Sequence, residues 1–210
     1  GEYEKAEKYF RTALKQMIAA LGEASPQSVS VMNNLALLLE NQGLYDEAEP
    51  LFKKAYGISE KIQGQKHPTT LALLNNLAFL YESQGDFERS ELNYDQVINL
   101  FTEVYGKDHP NTIASINNLA YLYLRDDKLD QAEPRFAMAY ERWREKLGAR
   151  HQNTLKALNN LGRVHKNLGN LEKSENLLTL ALEGRTAVFG KRHADTLRSM
   201  NDMGELLVSQ

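Results

Sequence analysis

Apolar positions along this chain recur in two alternating stripes. The first, in residues 26–42, has the three- and four-residue spacing of one face of an α-helix, at Val29, Met32, Leu35, Ala36 and Leu39. The second follows in residues 45–62, at Ala48, Leu51, Phe52, Ala55 and Tyr56. Glycines stand between the stripes, and glycine ends helices readily because it adopts left-handed backbone conformations. The pattern predicts pairs of amphipathic helices joined by short turns.

The paired stripes repeat every 42 residues, so the 210-residue chain holds five periods. Glycine recurs at the end of the second helix, at Gly22, Gly64, Gly106, Gly148 and Gly190. The turn between the two helices falls at Gly43, Gly85, Asp127 and Gly169. A polar pair recurs in the first helix, at Asn33-Asn34, Asn75-Asn76, Asn117-Asn118, Asn159-Asn160 and Asn201-Asp202. A period of about 20–50 residues is typical of a solenoid, in which each unit buries its apolar face against its neighbours.

The pattern predicts ten helices, at residues 2–21, 26–42, 45–62, 68–84, 87–104, 110–126, 129–147, 152–168, 171–188 and 194–209. Residues 1–210 are predicted to be a single array of repeats, at 1–25 (second helix only), 26–67, 68–109, 110–151, 152–193 and 194–210 (first helix only). Gly1 aligns with Gly43, so the first repeat lacks its opening helix, as expected of a fragment of a longer protein. Asp46-x-x-Glu49 predicts an acidic capping box at the start of a second helix, with Pro50 in its first turn.

The residues Asn34-Leu35-Ala36, Gly43, Tyr45, Ala48, Phe52 and Ala55 resemble the helix-turn-helix signature of tetratricopeptide (TPR) repeats. The longer period, with a Gly-Lys-x-His-Pro linker at 106–110 and Asn-Asn-Leu-Ala at 117–120, is similar to the repeats of kinesin light chains and nephrocystin-3. It also resembles the TPR arrays of some signalling NTPases. The resemblance covers essentially the whole chain and implies an all-α, right-handed TPR superhelix (α-solenoid) of about five helix-turn-helix repeats. In such proteins the first helix of each pair lines a concave groove.

The resemblance places the asparagine pairs on this groove as candidate peptide-binding residues: Asn33, Asn34, Asn75, Asn76, Asn117, Asn118, Asn159 and Asn160. A carboxamide has both donors and an acceptor, so a row of them can pair with the backbone of an extended peptide of any sequence. The alternative is that these amides join neighbouring helices, and the two roles can be divided between the two positions. Similarity to peptide-binding TPR proteins favours the second Asn of each pair as the groove residue.

The same register makes the predicted groove uneven along its length. Its early part has Leu37, Phe79, Tyr121 and Leu124 with Glu40 and Glu82, and its late part has Arg125, Lys156, Arg163, Lys166 and Arg198. Residues 85–126 carry a net charge of −4, and residues 127–168 carry +4. An apolar patch beside a basic patch suits a peptide with a bulky apolar residue flanked by acids, which is also the ligand class that a resemblance to kinesin light chains implies. The alternative is that these cations only solvate an exposed surface.

Composition argues against several other classes of protein. The formal net charge of −3 does not suit a general nucleic-acid binder, and no apolar run reaches the roughly 18–20 residues of a membrane span. The chain has no Cys, and the histidines at positions 67, 109, 151 and 193 lie one repeat apart, too far to share a metal ion. No sequence motif of a nucleotide-binding or hydrolytic site occurs. We therefore expect no metal, no cofactor, no nucleic-acid or membrane partner and no catalysis.

The sequence thus predicts a cytoplasmic protein-interaction scaffold, not an enzyme, that holds an extended, partly acidic peptide or cargo motif in a kinesin light chain-like groove. The alternative is a structural, assembly or autoinhibitory TPR arm of a larger signalling protein, which contacts a folded domain or itself. The charge step between adjacent repeats would then fix the head-to-tail packing of two chains in a homo-oligomer.

Overall fold

The computed structural model describes residues 1–209, and in them the chain forms ten α-helices and no β-strand. The helices are α1 (Glu2–Leu21), α2 (Pro26–Asn41), α3 (Tyr45–Gln63), α4 (Pro68–Gln84), α5 (Phe87–Tyr105), α6 (Pro110–Arg125), α7 (Leu129–Leu147), α8 (Gln152–Asn167), α9 (Leu171–Phe189) and α10 (Ala194–Ser209). Every predicted helix is present, and no end differs from the prediction by more than one residue. The even-numbered helices are called A helices below, and the odd-numbered ones B helices.

Histidine is the N-cap residue of four of the five A helices. The Nδ1 atom of His67 accepts a hydrogen bond from the Thr69 backbone N–H at 3.2 Å, and His109, His151 and His193 accept equivalent bonds at the same distance. Ser25 caps the first A helix with its hydroxyl group. Each bond satisfies one of the backbone donors that lack a partner in the first helical turn. The repeated histidines are therefore structural caps.

The predicted acidic capping box at the start of α3 is wrong. The N-cap residue of α3 is Leu44, which makes no side-chain cap bond, and that of α7 is Lys128, which makes none either. The helix starts at Tyr45, so Pro50 lies inside it, beyond the first turn. Asp46 lies inside the first turn of the helix, where its negative charge interacts favourably with the positive end of the helix dipole.

The chain divides into two compact units, Gly1–Val104 and Tyr105–Gln210. In unit 1, α2 packs against α1, α3 and α4. One core cluster joins α2, α3 and α4 through Leu35, Leu39, Phe52, Leu80 and Tyr81, each less than a twentieth exposed. Burial of each such side chain contributes roughly 1.5–3 kcal/mol. The interface between helix pairs is thus part of the hydrophobic core of the unit.

Unit 2 repeats this arrangement with α6 to α10. Each helix there packs on its sequence neighbour, and α8 also contacts α6 and α10. One core cluster contains Ile113, Ala139, Trp143 and Ala157, from α6, α7 and α8. Because an A helix contacts B helices and the next A helix, only a narrow stripe of it remains open to solvent. In α8 that stripe includes Lys156 and Asn167, both exposed, and the half-buried Arg163.

Candidate functional site

The asparagine pairs connect neighbouring A helices in both units. In unit 1 the Nδ2 group of Asn76 donates to Oδ1 of Asn33 at 2.8 Å. In unit 2 the Nδ2 group of Asn159 donates to Oδ2 of Asp202 at 2.6 Å, and Ser199 donates to Oδ1 of Asn159 at 2.6 Å. In each case the first position of one pair bonds to the second position of the next pair. These amides join repeats, as the alternative reading of the sequence proposed.

Exposure of the amides differs from one copy to the next. Asn34 is exposed, and Asn75, Asn76 and Asn118 are half-buried. The buried amides are all in unit 2, at Asn117, Asn159 and Asn160. Asn34 and Asn118 make no side-chain hydrogen bond within residues 1–209. The amides available to a ligand therefore occupy the second position of the pair, in two of the copies.

An aromatic side chain follows the second Asn by three residues in two A helices. Phe79 in unit 1 is 40% exposed. Tyr121 in unit 2 is half-buried, and the guanidinium carbon of Arg163 lies 5.9 Å from its ring centroid. Because residues three apart lie on the same helix face, each ring adjoins its neighbouring amide.

Acidic residues of α10 neutralise most of the basic side chains that we predicted for the late groove. Lys166 bonds to Glu205 at 2.6 Å, Arg163 lies 3.6 Å from Asp202, and Arg198 lies 3.2 Å from Asp195 in its own helix. The Lys166 hydrogen bond and charge lower the pKa of Glu205 below its usual value. These three cations already have partners inside unit 2.

Lys156 differs from the other predicted cations. It is exposed and makes no ion pair or hydrogen bond within residues 1–209. Together with Asn117, Asn118 and Trp143 it lines a cavity of about 60 Å³ in unit 2. The Oδ1 atom of Asn117 is buried and has no hydrogen-bond partner. Arg125, the fifth predicted cation, is exposed.

Two acidic residues that we expected on the early groove surface are buried. The Oε1 atom of Glu40 accepts from Ser83 at 2.7 Å, and Oε2 of Glu82 accepts from Tyr94 at 3.2 Å. Glu40 is 7% exposed and Glu82 is 2% exposed, so both are structural hydrogen-bond acceptors. Leu124, expected on the same surface, is buried as well.

Sequence reasoning missed the importance of one position near the end of the B helices. It holds Ser59, Phe101, Trp143 and Arg185 in successive copies, and all four are buried. Arg185 reaches α10, where it donates to the Asp195 carbonyl at 2.9 Å and to the Ser199 hydroxyl at 2.7 Å. The large change of side chain at a fixed register position was the available signal.

Within residues 1–209 no group of three or more His, Cys, Asp or Glu side chains is placed to hold a metal ion. None of the helices in that part of the chain is long and apolar enough to cross a bilayer.

This architecture of stacked helical hairpins with a 42-residue period defines an α-helical repeat protein. The tetratricopeptide repeat family model matches at residues 1–61, 27–103, 69–145, 113–185 and 153–210. The chain belongs to the tetratricopeptide repeat family, and both the suspected family and the all-α repeat fold are confirmed. This fold typically serves as a non-catalytic scaffold for protein interactions.

Solved structures with the same fold include kinesin light chain-like proteins. BtubC (BKLC) from P. vanneervenii is 19% identical, with a TM-score of 0.84 over 100% of this chain and 84% of that one. A Podosopora anserina protein provisionally described as a kinesin light chain, with nearly identical TPR-like repeats, is 20% identical, with a TM-score of 0.74 over 88% of each chain. Its Q17M variant is 20% identical, with a TM-score of 0.74 over 86% of this chain and 85% of that one. At this identity the likeness concerns the fold alone. No curated protein matches this chain at a significant level.

Proposed function

We propose that this chain is a cytoplasmic protein-interaction scaffold that binds an extended, partly acidic peptide along the open stripe of its A helices, as a kinesin light chain-like cargo adaptor. The observation that carries the proposal is a group of three side chains in unit 2. Asn118 and Lys156 line one cavity, and Tyr121 lies one helical turn after Asn118. Asn118 and Lys156 have no partner in residues 1–209, so their hydrogen-bonding capacity is available to a ligand.

Each member of this group suits a different part of a peptide. The Asn118 carboxamide can pair with a backbone amide, because it has both donors and an acceptor. The Lys156 ammonium group can pair with an acidic side chain, and the Tyr121 ring offers an apolar contact. Arg163 and Lys166 contribute less, because an acidic ligand must first displace the carboxylates of α10.

The lack of cysteine throughout the sequence fits the reducing cytoplasm. The structural likeness to kinesin light chain-like proteins supports the adaptor role at the level of the fold.

The proposal is tested by screening a library of fluorescently labelled acidic peptides for binding to the chain and measuring the affinity of the peptides selected. We expect Lys156→Met to lower the affinity for a selected peptide about tenfold, since a hydrogen bond to a charged group is worth about 1.5 kcal/mol. Asn118→Leu should lower the affinity for this peptide as well. Asn118 is chosen for substitution instead of Asn160 because Asn160 is buried. Lys191→Met is the matched control, because Lys191 is an exposed lysine in the turn between α9 and α10.

Wild-type affinity in both Lys156→Met and Asn118→Leu would contradict this assignment. Raising the salt concentration should weaken the wild-type complex and have less effect on the Lys156→Met complex, because salt screens exposed charges. Light scattering of the free chain tests the alternative function, since a stable dimer at low salt would favour head-to-tail assembly.

A further inference from the structure

An open apolar cavity of about 190 Å³ lies in unit 1 between α2, α3 and the start of α4. Its apolar wall consists of Ala24, Pro26, Val29, Ile58 and Ile62, and the polar part of the lining consists of Ser30, Ser59, Gln63 and Thr69. No charged residue lines it. Ile62 is 55% exposed, so the cavity is accessible from solvent. None of the residues that line this cavity is among those assigned to peptide binding above.

The repeat register shows what fills this place elsewhere in the chain. The cavity of about 60 Å³ in unit 2 is lined by Trp143 and Asn153, which align with Ser59 and Thr69 two periods earlier. The Trp143 side chain is 3% exposed and packs against Ile113, Ala139 and Ala157. Unit 2 therefore supplies its own aromatic ring where unit 1 leaves space.

The other copies agree with this comparison. Phe101 and Arg185 occupy the same register position, and each is 4% exposed. Met17 is the fifth aligned residue, so Ser59 is the one small side chain among five aligned positions in the described residues, and two of the other four are aromatic. The helix pairs accommodate a ring at this position, and a gap is present beside Ser59.

The volume and the lining of the cavity indicate which chemical group fits it. An enclosed apolar cavity of about 150 Å³ holds a benzene molecule, and the cavity beside Ser59 is larger. Its uncharged lining suits a ring without a charge. Ser30 also lines it and lies on the open face of α2, so a ligand bound along the A helices can direct a side chain into it.

We propose that this cavity is a subsite for an aromatic side chain of a peptide bound along the A helices of unit 1, with Ser59 as the residue that determines its specificity. The subsite rests on the proposed peptide-binding function, but its affinity for a free aromatic ring does not. In the complex, the Phe or Trp side chain of the ligand takes the place that Trp143 takes in unit 2.

Titration with free indole, followed by NMR, tests the cavity itself. We expect indole to bind the wild-type chain with a millimolar dissociation constant and to shift the methyl signals of Val29, Ile58 and Ile62. Ser59→Phe fills the space with the residue found at position 101, and it should weaken indole binding at least tenfold. Ser59→Ala keeps the space open and is the control, so it should bind indole as the wild type does.

The Ser59→Phe variant should still fold, because Thr70, which loses its hydrogen bond to Ser59, has another acceptor. Ser59 shares a hydrogen bond of 2.7 Å with Thr70. The aligned Thr112 and Thr154 instead donate to the carbonyls of Gly106 and Gly148 at 2.9 Å. Thr70 can turn to Gly64 in the same way. An unchanged circular dichroism spectrum and melting temperature would establish that the variant is folded.

The outcomes separate the subsite from the function. Equal indole affinity in wild type and Ser59→Phe, or no shift at Val29, Ile58 and Ile62, overturns the subsite. Loss of affinity for aromatic-containing peptides in Ser59→Phe, with affinity for their alanine versions unchanged, supports the subsite in its full form. If indole binds as expected and no acidic peptide binds, the proposed function fails and the cavity stands as a site for an aromatic group alone.

Discussion

The histidine at position 165 shows how one residue changes a repeated environment. It aligns with Tyr81 and Tyr123 and, as the register predicts, it is a core residue, 3% exposed. Its Nε2 atom lies 3.3 Å from Glu133 without hydrogen-bond geometry, and Asn170 lies 3.5 Å from its Nδ1 atom. Burial lowers the pKa of His165, Lys173 lowers it further, and Glu133 opposes both effects. The folded chain therefore favours the neutral imidazole.

This pKa shift predicts a loss of stability in mild acid. The unfolded chain takes up a proton near the ordinary histidine pKa of 6.5, whereas the folded chain resists it. The free energy of unfolding should therefore fall as the pH drops below about 6.5, and level off below the folded pKa. Urea unfolding between neutral pH and mildly acidic pH measures the slope.

His165→Tyr is the matched variant, because it restores the residue found at positions 81 and 123. It should reduce the acid-dependent loss of stability. The four capping histidines are common to both proteins, so they contribute equally to the two pH profiles. Identical profiles would show that His165 does not titrate between the folded and unfolded states.

Among the elements, α8 contains a glycine where three earlier A helices contain alanine. Gly162 aligns with Ala36, Ala78 and Ala120. A Cβ atom at position 162 would lie 2.8 Å from Cγ and Cδ2 of Leu178 and 3.3 Å from its backbone nitrogen. Leu178 stands where α3 and α7 carry phenylalanine, at Phe52 and Phe136. The glycine accommodates a branched side chain that packs closer to the helix.

We predict that Gly162→Ala destabilises the chain by roughly 1–3 kcal/mol through overpacking against Leu178, despite the higher helix propensity of alanine. Gly204→Ala is the control at the same register position of α10, where a Cβ atom meets nothing within 4 Å. That variant should be stabilising by about 0.5–1 kcal/mol. Urea unfolding of both variants checks the prediction, and stabilisation by Gly162→Ala would show that Leu178 repacks without cost.

Helix boundaries were predictable because the signals that set them are local. Pro26, Pro68 and Pro110 mark helix starts, and glycines with positive φ, such as Gly64 and Gly85, follow helix ends. The start of α3 was predicted correctly, but its capping box was not, because Leu44 precedes the helix without a side-chain cap. The alternation of stripes, and not the capping residues, defined that element.

At the scale of the whole molecule, polar contacts between A helices couple one repeat to the next. In unit 2, Asn159 accepts from Ser199 and donates to Asp202, and Arg185 donates to Ser199. The side chains of these four residues are almost fully buried. In a repeat protein, stability is approximately the sum of the repeats and the interfaces between neighbours. These bonds therefore determine how cooperatively α10 unfolds with α8 and α9.

A double-mutant cycle on Asn159 and Asp202 measures this coupling. We expect Asn159→Ala and Asp202→Ala each to destabilise the chain, with a coupling energy of about 1 kcal/mol or more, because the bond between them is buried. The Arg198 and Asp195 pair is the control, since it is exposed and lies within one helix, and its coupling should be below about 0.5 kcal/mol. Equal coupling in the two cycles would contradict an interface role for Asn159.

The sequence by itself determined the helices, their register, the repeat family and the side of each helix that is buried, because all of these follow from spacing along the chain. Only the tertiary structure decided which amides join repeats, which cations are already paired with α10, and where Ser59 leaves a cavity. The physical reason is that hydrogen bonds, ion pairs and cavities depend on distances between atoms of different helices, and a repeat period fixes equivalent positions without fixing those distances.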